Sequence, residues 1–131
     1  MKKNYKWEHK KVNVNYIEER PWGSFENLLD CEYCKVKRII VKPGQRLSYQ
    51  FHYKRSEAWV IVQGTATVTL DGEDIEYTNG QIVDIPVRTK HRVRNDSKED
   101  LIFIETQTGT YFGEDDIVRI EDDYGRDLDA N

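Results

Sequence analysis

The 131-residue chain has no long apolar run. Its longest apolar stretches, such as IIV at 39–41 and WVIV at 59–62, fall far short of the ~20 residues that cross a bilayer as a helix. No basic run is present either, and the net charge is −4. Nucleic acid and membrane surfaces are therefore not expected partners, and an anionic ligand would need cations placed locally. The opening MKKNYKWEHKK is charged and lacks the apolar centre of a secretory signal, so a cytoplasmic location is expected. Cysteine is nearly absent. Cys31 and Cys34 form a lone CEYC, whereas a structural zinc site needs four ligands. CEYCKVKRIIV reads as strand rather than as the helix start a redox pair prefers, so both are read as ordinary reduced cysteines.

What is there describes a polar but foldable domain. Hydrophobic residues make up 37%, charged residues 34% and aromatics 11%, and the aromatics are spread along the chain, which argues against disorder. This length fits one domain with its own core. Short apolar runs alternate with turn signals: KVKRIIV before KPGQ, AWVIVQG, TATVTL before DGED, IEYTNGQIVDIP, HRVRN and LIFIETQTG. Asp71-Gly72 is a hairpin turn of the Asp-Gly type, and Asn79-Gly80 is a second tight turn. At least six strands joined this way predict an all-β sandwich or barrel. Residues 1–15 are expected to form an arm or edge strand, 16–126 the domain, and 127–131 a loose tail. The acidic segment from Gly113 is expected to make a helical turn or to cross the sheet as a lid.

One stretch carries chemistry. In QFHYKRSE, residues 50–57, Gln50 and His52 are two apart and would share a strand face. Glu57 would join them from the next strand after a turn at Tyr53 to Ser56. Three converging donors suit a metal ion, and His91 is a fourth. Gly44 and Gly64 frame the first group; Gly80, Pro86 and Asn95 frame His91. Taken singly these are ordinary strand and turn residues. Together they resemble the two motifs of the cupin superfamily, small β-barrels of the double-stranded β-helix or jelly-roll type with a metal inside. Two positions depart from that pattern: Gln50 stands where a histidine is usual, and Arg88 where a glycine is usual.

The resemblance narrows. RPWGSF, VKPGQRLSYQFHYKRSEAWVIVQGTATVTLDG, IPVRTKHRVRN and IETQTGTYFGEDDIVRIEDDYGR are similar to the C-terminal isomerase domain of type II phosphomannose isomerases, from about Tyr16 to Arg126. In that family the domain is often fused to mannose-1-phosphate guanylyltransferase, a part with no counterpart in residues 1–15, so guanylyl transfer is not expected. The resemblance implies a divalent metal, Zn2+ first and Co, Ni, Mn or Fe as substitutes, held by Gln50, His52, Glu57 and His91. It also implies a sugar-phosphate substrate, mannose 6-phosphate, converted to fructose 6-phosphate through an enediolate.

Such a reaction needs a base. Two of the three histidines are taken as ligands and His9 lies in the charged arm, so the base is sought among carboxylates and lysines. Lys37 shares a strand face with 39 and 41, and Glu105 with 103 and 107; both could face a cavity. Arg55, close to Glu57, completes the catalytic candidates. Arg20, Arg119 and Arg126, whose planar forks match oxyanions, are the phosphate candidates, with Ser48 as a further substrate contact. Removing 113–131 is then expected to weaken sugar-phosphate binding without loosening the metal. Two rival readings stay open. One is a non-catalytic sugar-phosphate-binding module; the other is a non-haem oxygenase using His52, Glu57 and His91. A homodimer formed by sheet extension through residues 1–19 is expected, because uncovered edges invite pairing; a monomeric mass by light scattering would reject it.

Overall fold

The computed structural model describes residues 16–126. It is all-β, as expected, with eleven strands and no helix among the described residues that could cross a membrane. The strands are β1 (Tyr16–Arg20), β2 (Gly23–Asp30), β3 (Cys34–Val41), β4 (Tyr49–Phe51), β5 (Arg55–Gln63), β6 (Ala66–Leu70), β7 (Glu73–Tyr77), β8 (Ile82–Ile85), β9 (His91–Arg94), β10 (Leu101–Gly109) and β11 (Val118–Glu121). They form two sheets, ordered β1-β2-β3-β10-β5-β8 and β11-β4-β9-β6-β7. Each neighbouring pair is antiparallel.

The two-residue period places the core. On β3 the inward positions are Lys37, Ile39 and Val41; on β5, Arg55, Glu57, Trp59 and Ile61; on β10, Leu101, Phe103, Glu105 and Gln107. These meet Ala66, Val68 and Val93 of the other sheet in one apolar cluster. The Trp59 and Phe103 rings stack at 4.5 Å, a contact worth about 1 kcal/mol beyond its buried area. Each of the three strands therefore changes character along its inner face, from apolar at one end to charged at the other. Register aligns the change, because Glu105 lies opposite both Lys37 and Trp59, Gln107 opposite Glu57, and Gly109 opposite Arg55. The apolar ends form a floor, and the charged ends form a polar chamber above it.

Turn chemistry follows the sequence in most places. Asp71 (φ 46) and Gly72 (φ 90) carry the paired positive φ of the β6–β7 hairpin, as the Asp-Gly pair predicts. The β4–β5 connection is shorter than expected: β5 already begins at Arg55, leaving His52 to Lys54 as the turn. Of the two expectations for the first part of the acidic segment, the described residues take the sheet rather than the helical turn. Val118–Glu121 forms strand β11 on the free edge of β4, and Val118 and Ile120 are β-branched residues that favour this state. The N-terminal arm and the tail, 1–15 and 127–131, lie outside the described residues, as does His9; β1 is the outermost strand of its sheet.

Arg88 adopts φ 66, the left-handed region. A glycine would take this conformation without strain, which accounts for glycine at this place in the resembling motif. Arg88 is retained with its N–H on the His52 carbonyl (2.7 Å) and its guanidinium 5.7 Å from the Tyr53 ring. Arg88→Gly is expected to raise stability by about 1 kcal/mol, read from the urea midpoint. A lowered midpoint would show that the guanidinium–ring contact outweighs the backbone strain.

Candidate metal centre

His52, Glu57 and His91 converge at the charged end of the chamber, all three buried, with ligand atoms within 4.8 Å of one another. Three different elements deliver them: the β4–β5 turn, the start of β5 and the start of β9. His52 Nε2 lies 3.2 Å from Glu57 Oε2, and His91 Nε2 lies 3.9 Å from Glu57 Oε1. Donors around a tetrahedral zinc ion stand about 3.3 Å apart, given bonds near 2 Å, so the spacing is of the right size.

The tautomers agree. His52 Nδ1 is 2.7 Å from the Asp116 carbonyl and His91 Nδ1 is 2.8 Å from the Thr89 carbonyl. A carbonyl only accepts, so both Nδ1 atoms carry the hydrogen and both Nε2 lone pairs face the cluster. This is the arrangement by which metal-bound histidines are usually oriented. His91 Nε2 is buried without a hydrogen-bond partner, a cost that an ion would remove. Burial pushes the His91 pKa down, against the pull of Glu57, which keeps the ring neutral as ligation requires. Glu57 is driven the other way. Burial opposes its charge, but His52 and His91, whenever their rings are protonated, and the Arg55 guanidinium hold its carboxyl well below the usual range. Trp59 Nε1 and Arg55 Nε donate to its two oxygens at 2.9 and 3.0 Å. The residues present fit a divalent ion.

Gln50 lies in register with His91 across the β4–β9 pair and lines the same cavity. Its Oε1 accepts the Ser48 hydroxyl at 2.6 Å, and Ser48 itself lines the cavity. His52 sits one residue beyond β4 rather than within it, yet its Nε2 still reaches Glu57. Lys37 and Glu105 line the cavity as strand parity predicts, and Arg55 lines it with them. Lys37 Nζ is bound to Glu114 Oε2 at 3.1 Å and rests 4.2 Å from the Phe25 ring. Glu105 is buried, and its pKa is pushed up to about 7 by burial and by the charge of Glu57, against Lys37, Arg55 and Gln107.

Arg20, Arg119 and Arg126 line the cavity too. Arg119 faces Gln50 across β11–β4, and its Nε is buried with no hydrogen-bond partner. Burial and then the charge of Arg126 lower its pKa. Arg126 is gripped by Asp122 through two bonds of 2.8 and 3.0 Å, so that aspartate orients the arginine.

Three residues of the site were not singled out from the sequence. Arg92 is buried and clamps the Leu47 carbonyl (2.9 Å) to Glu121 (2.9 Å). Glu114 reaches the cations Lys37 and Arg55 from the β10–β11 connection. Asp116 accepts the His52 ring hydrogen. The only signal for the last two was the acidic GEDD, which by itself reads as a solvated cluster.

Comparison with known proteins settles the class. The family model described as mannose-6-phosphate isomerase C-terminal matches residues 4–122. The chain belongs to this family. It is 49% identical over 107 residues to the xanthan biosynthesis protein XanB of Xanthomonas campestris pv. campestris, covering 82% of this chain and 23% of that protein. It is 46% identical over 122 residues to the mannose-1-phosphate guanylyltransferase of Salmonella montevideo, covering 92% and 26%. With the alginate biosynthesis protein AlgA of Pseudomonas aeruginosa it shares 49% identity over 107 residues, covering 82% and 22%. The chain thus spans about a quarter of the length of these relatives. Among solved structures, the capsular polysaccharide assembling protein CapF of Staphylococcus aureus superposes with TM-score 0.69 at 26% identity, over 80% of this chain and 34% of that one. A Klebsiella pneumoniae protein with a double-stranded β-helix domain superposes with TM-score 0.66 at 20% identity, covering 73% and 77%, and supports the cupin fold.

Proposed function

We propose that this domain is a metal-dependent aldose–ketose isomerase that interconverts mannose 6-phosphate and fructose 6-phosphate. The observation that carries the reading is the placement, in one buried chamber, of a two-histidine carboxylate cluster beside Glu105, a buried carboxyl poised to titrate near neutrality. Family membership and the sugar-nucleotide and polysaccharide roles printed in the relatives' names support it.

His52, Glu57 and His91, with Gln50 as fourth donor, would hold the divalent ion, zinc first; when bound, it supplies Lewis-acid polarisation of the substrate oxygens. In the open-chain aldose, Glu105 takes the proton from C2 as the C1 carbonyl becomes an enediolate oxygen. It then returns the proton to C1 while the O2 hydroxyl proton passes to O1, leaving the C2 ketone. Lys37 is a poorer base because its ammonium is committed to Glu114. Arg55 Nη1, buried and without a hydrogen-bond partner, is a ready donor to the enediolate. Arg119, with Arg20 and Arg126, would receive the phosphate.

The test is a coupled assay of metal-loaded protein across several hexose 6-phosphates, with zinc, cobalt, nickel, manganese and iron supplied in turn. Turnover of mannose 6-phosphate above its epimers is expected. Binding without turnover would favour the non-catalytic module. Iron retained on anaerobic purification, with no isomerisation, would favour the oxygenase reading, which the two-histidine, one-carboxylate set keeps specific.

A further inference from the structure

Asp116 makes three hydrogen bonds to one tripeptide. Its carbonyl accepts His52 Nδ1 at 2.7 Å, and its carboxylate oxygens accept the N–H groups of Tyr53 (3.1 Å) and Lys54 (2.9 Å). Residues 52–54 are the turn between β4 and β5, so this turn delivers one metal-site histidine and leads directly to Arg55 and Glu57. Asp116 lies 64 positions from His52 in sequence, on the connection from β10 to β11. The neighbouring residues Glu114, Ile117 and Arg119 line the cavity.

We propose that Asp116 is a positioning residue for the metal centre: its carboxylate holds the 52–54 turn while its carbonyl fixes the His52 ring with Nε2 toward Glu57. The inference rests on the metal-site reading above. It reverses one expectation from the sequence, since the β10–β11 connection is a support of the metal site as well as a cover over the cavity. Removing 113–131 would therefore loosen the metal.

The carboxylate bonds are what a substitution can remove while the backbone carbonyl stays. Without them the turn frees two N–H groups, and the carbonyl loses its fixed distance to the ring. Orienting partners of metal-bound histidines are typically worth about 10- to 100-fold in metal affinity. The experiment measures the zinc dissociation constant of the full chain by competition with a chromophoric chelator. Asp116→Ala is expected to weaken zinc by about that factor. Asp116→Asn, which keeps one acceptor oxygen for one N–H, is expected to fall between Asp116→Ala and wild type. Asp115→Ala, which removes only the exposed bond from Tyr111, serves as control at the wild-type constant.

A wild-type constant in Asp116→Ala overturns the proposal, as does equal weakening by Asp115→Ala. If the Asp116 variants do not fold, 15N spectra of metal-free wild type decide. The His52 ring is expected as the Nδ1–H tautomer, and the Nε2–H tautomer would overturn the proposal. Failure of wild type to bind any divalent ion would instead remove the metal-site reading; the tautomer, measured without metal, keeps the two failures apart.

Discussion

Replacing His91 with alanine is expected to weaken bound divalent metal at least about 100-fold and to reduce isomerase turnover to the level of metal-free protein. The ring has no second role that alanine could preserve. Its Nδ1 is spent on the Thr89 carbonyl, and its Nε2 is buried and unpartnered next to Glu57. Removing it leaves His52 and Glu57, with Gln50 as a weak neutral donor. The cost to the metal-free fold should be small by comparison. A cavity opens beside Trp59, whose ring centre lies 6.0 Å from that of His91, but an unsatisfied buried nitrogen disappears with it. The pH dependence has a definite sign. The folded-state pKa of His91 is lowered, so the unfolded chain protonates first as pH falls below about 6.5. Glu57, also lowered, gives stability that is present above its unfolded value near 4.5 and lost as pH falls further. Between about pH 6.5 and 4.5 metal-free His91→Ala should therefore gain stability relative to metal-free wild type, because the variant lacks the buried imidazole that resists protonation. Unchanged metal stoichiometry by mass spectrometry in this variant would refute the ligand assignment.

The cavity-facing identity of Lys37, Glu105 and Glu57 was legible because the strand period is two and needs only local sequence to apply. The turns at Asp71-Gly72 and Asn79-Gly80 were legible for a similar reason, since backbone conformation there depends on the residue in place. The metal set needed one long-range step, from residues 50–57 to 91, and the framing glycines supplied it through the resemblance. Asp116, Arg92 and Glu114 were not legible. Their partners lie 64, 45 and 77 positions away, and an acidic residue that will accept two backbone N–H groups looks the same in sequence as one that faces water. Strand β11 was missed because an edge strand of four residues has little alternation to display. It is held by pairing with β4 and by the Arg92–Glu121 contact rather than by its own burial.

Glu105→Gln is expected to lower kcat by about 10³-fold, within the range that a positioned proton carrier contributes, while making the metal-free protein more stable above neutrality. Both effects come from one carboxyl. Buried on β10 between Lys37 and Trp59 in register, Glu105 is held as an acid up to about pH 7 by burial and by the like charge of Glu57. A carboxyl whose folded pKa lies above its unfolded value contributes stability in full below about 4.5, and that contribution is lost as pH rises through 7. Glutamine has nearly the same shape and never ionises, so at pH 8 the variant avoids the penalty that wild type bears. It also brings an amide donor beside Gln107, whose Oε1 is buried without a partner. As a base, the same group works only when ionised, so wild-type turnover should climb with pH along a limb that the variant lacks. Exchange of the C2 hydrogen with deuterated solvent should stop in parallel with turnover. The paired readout separates a proton carrier from a structural acid. A merely structural Glu105 would give a variant with altered melting temperature and near-normal exchange. A variant that is less stable at pH 8 and exchanges at the wild-type rate would exclude Glu105 as the base and move the search to Lys37.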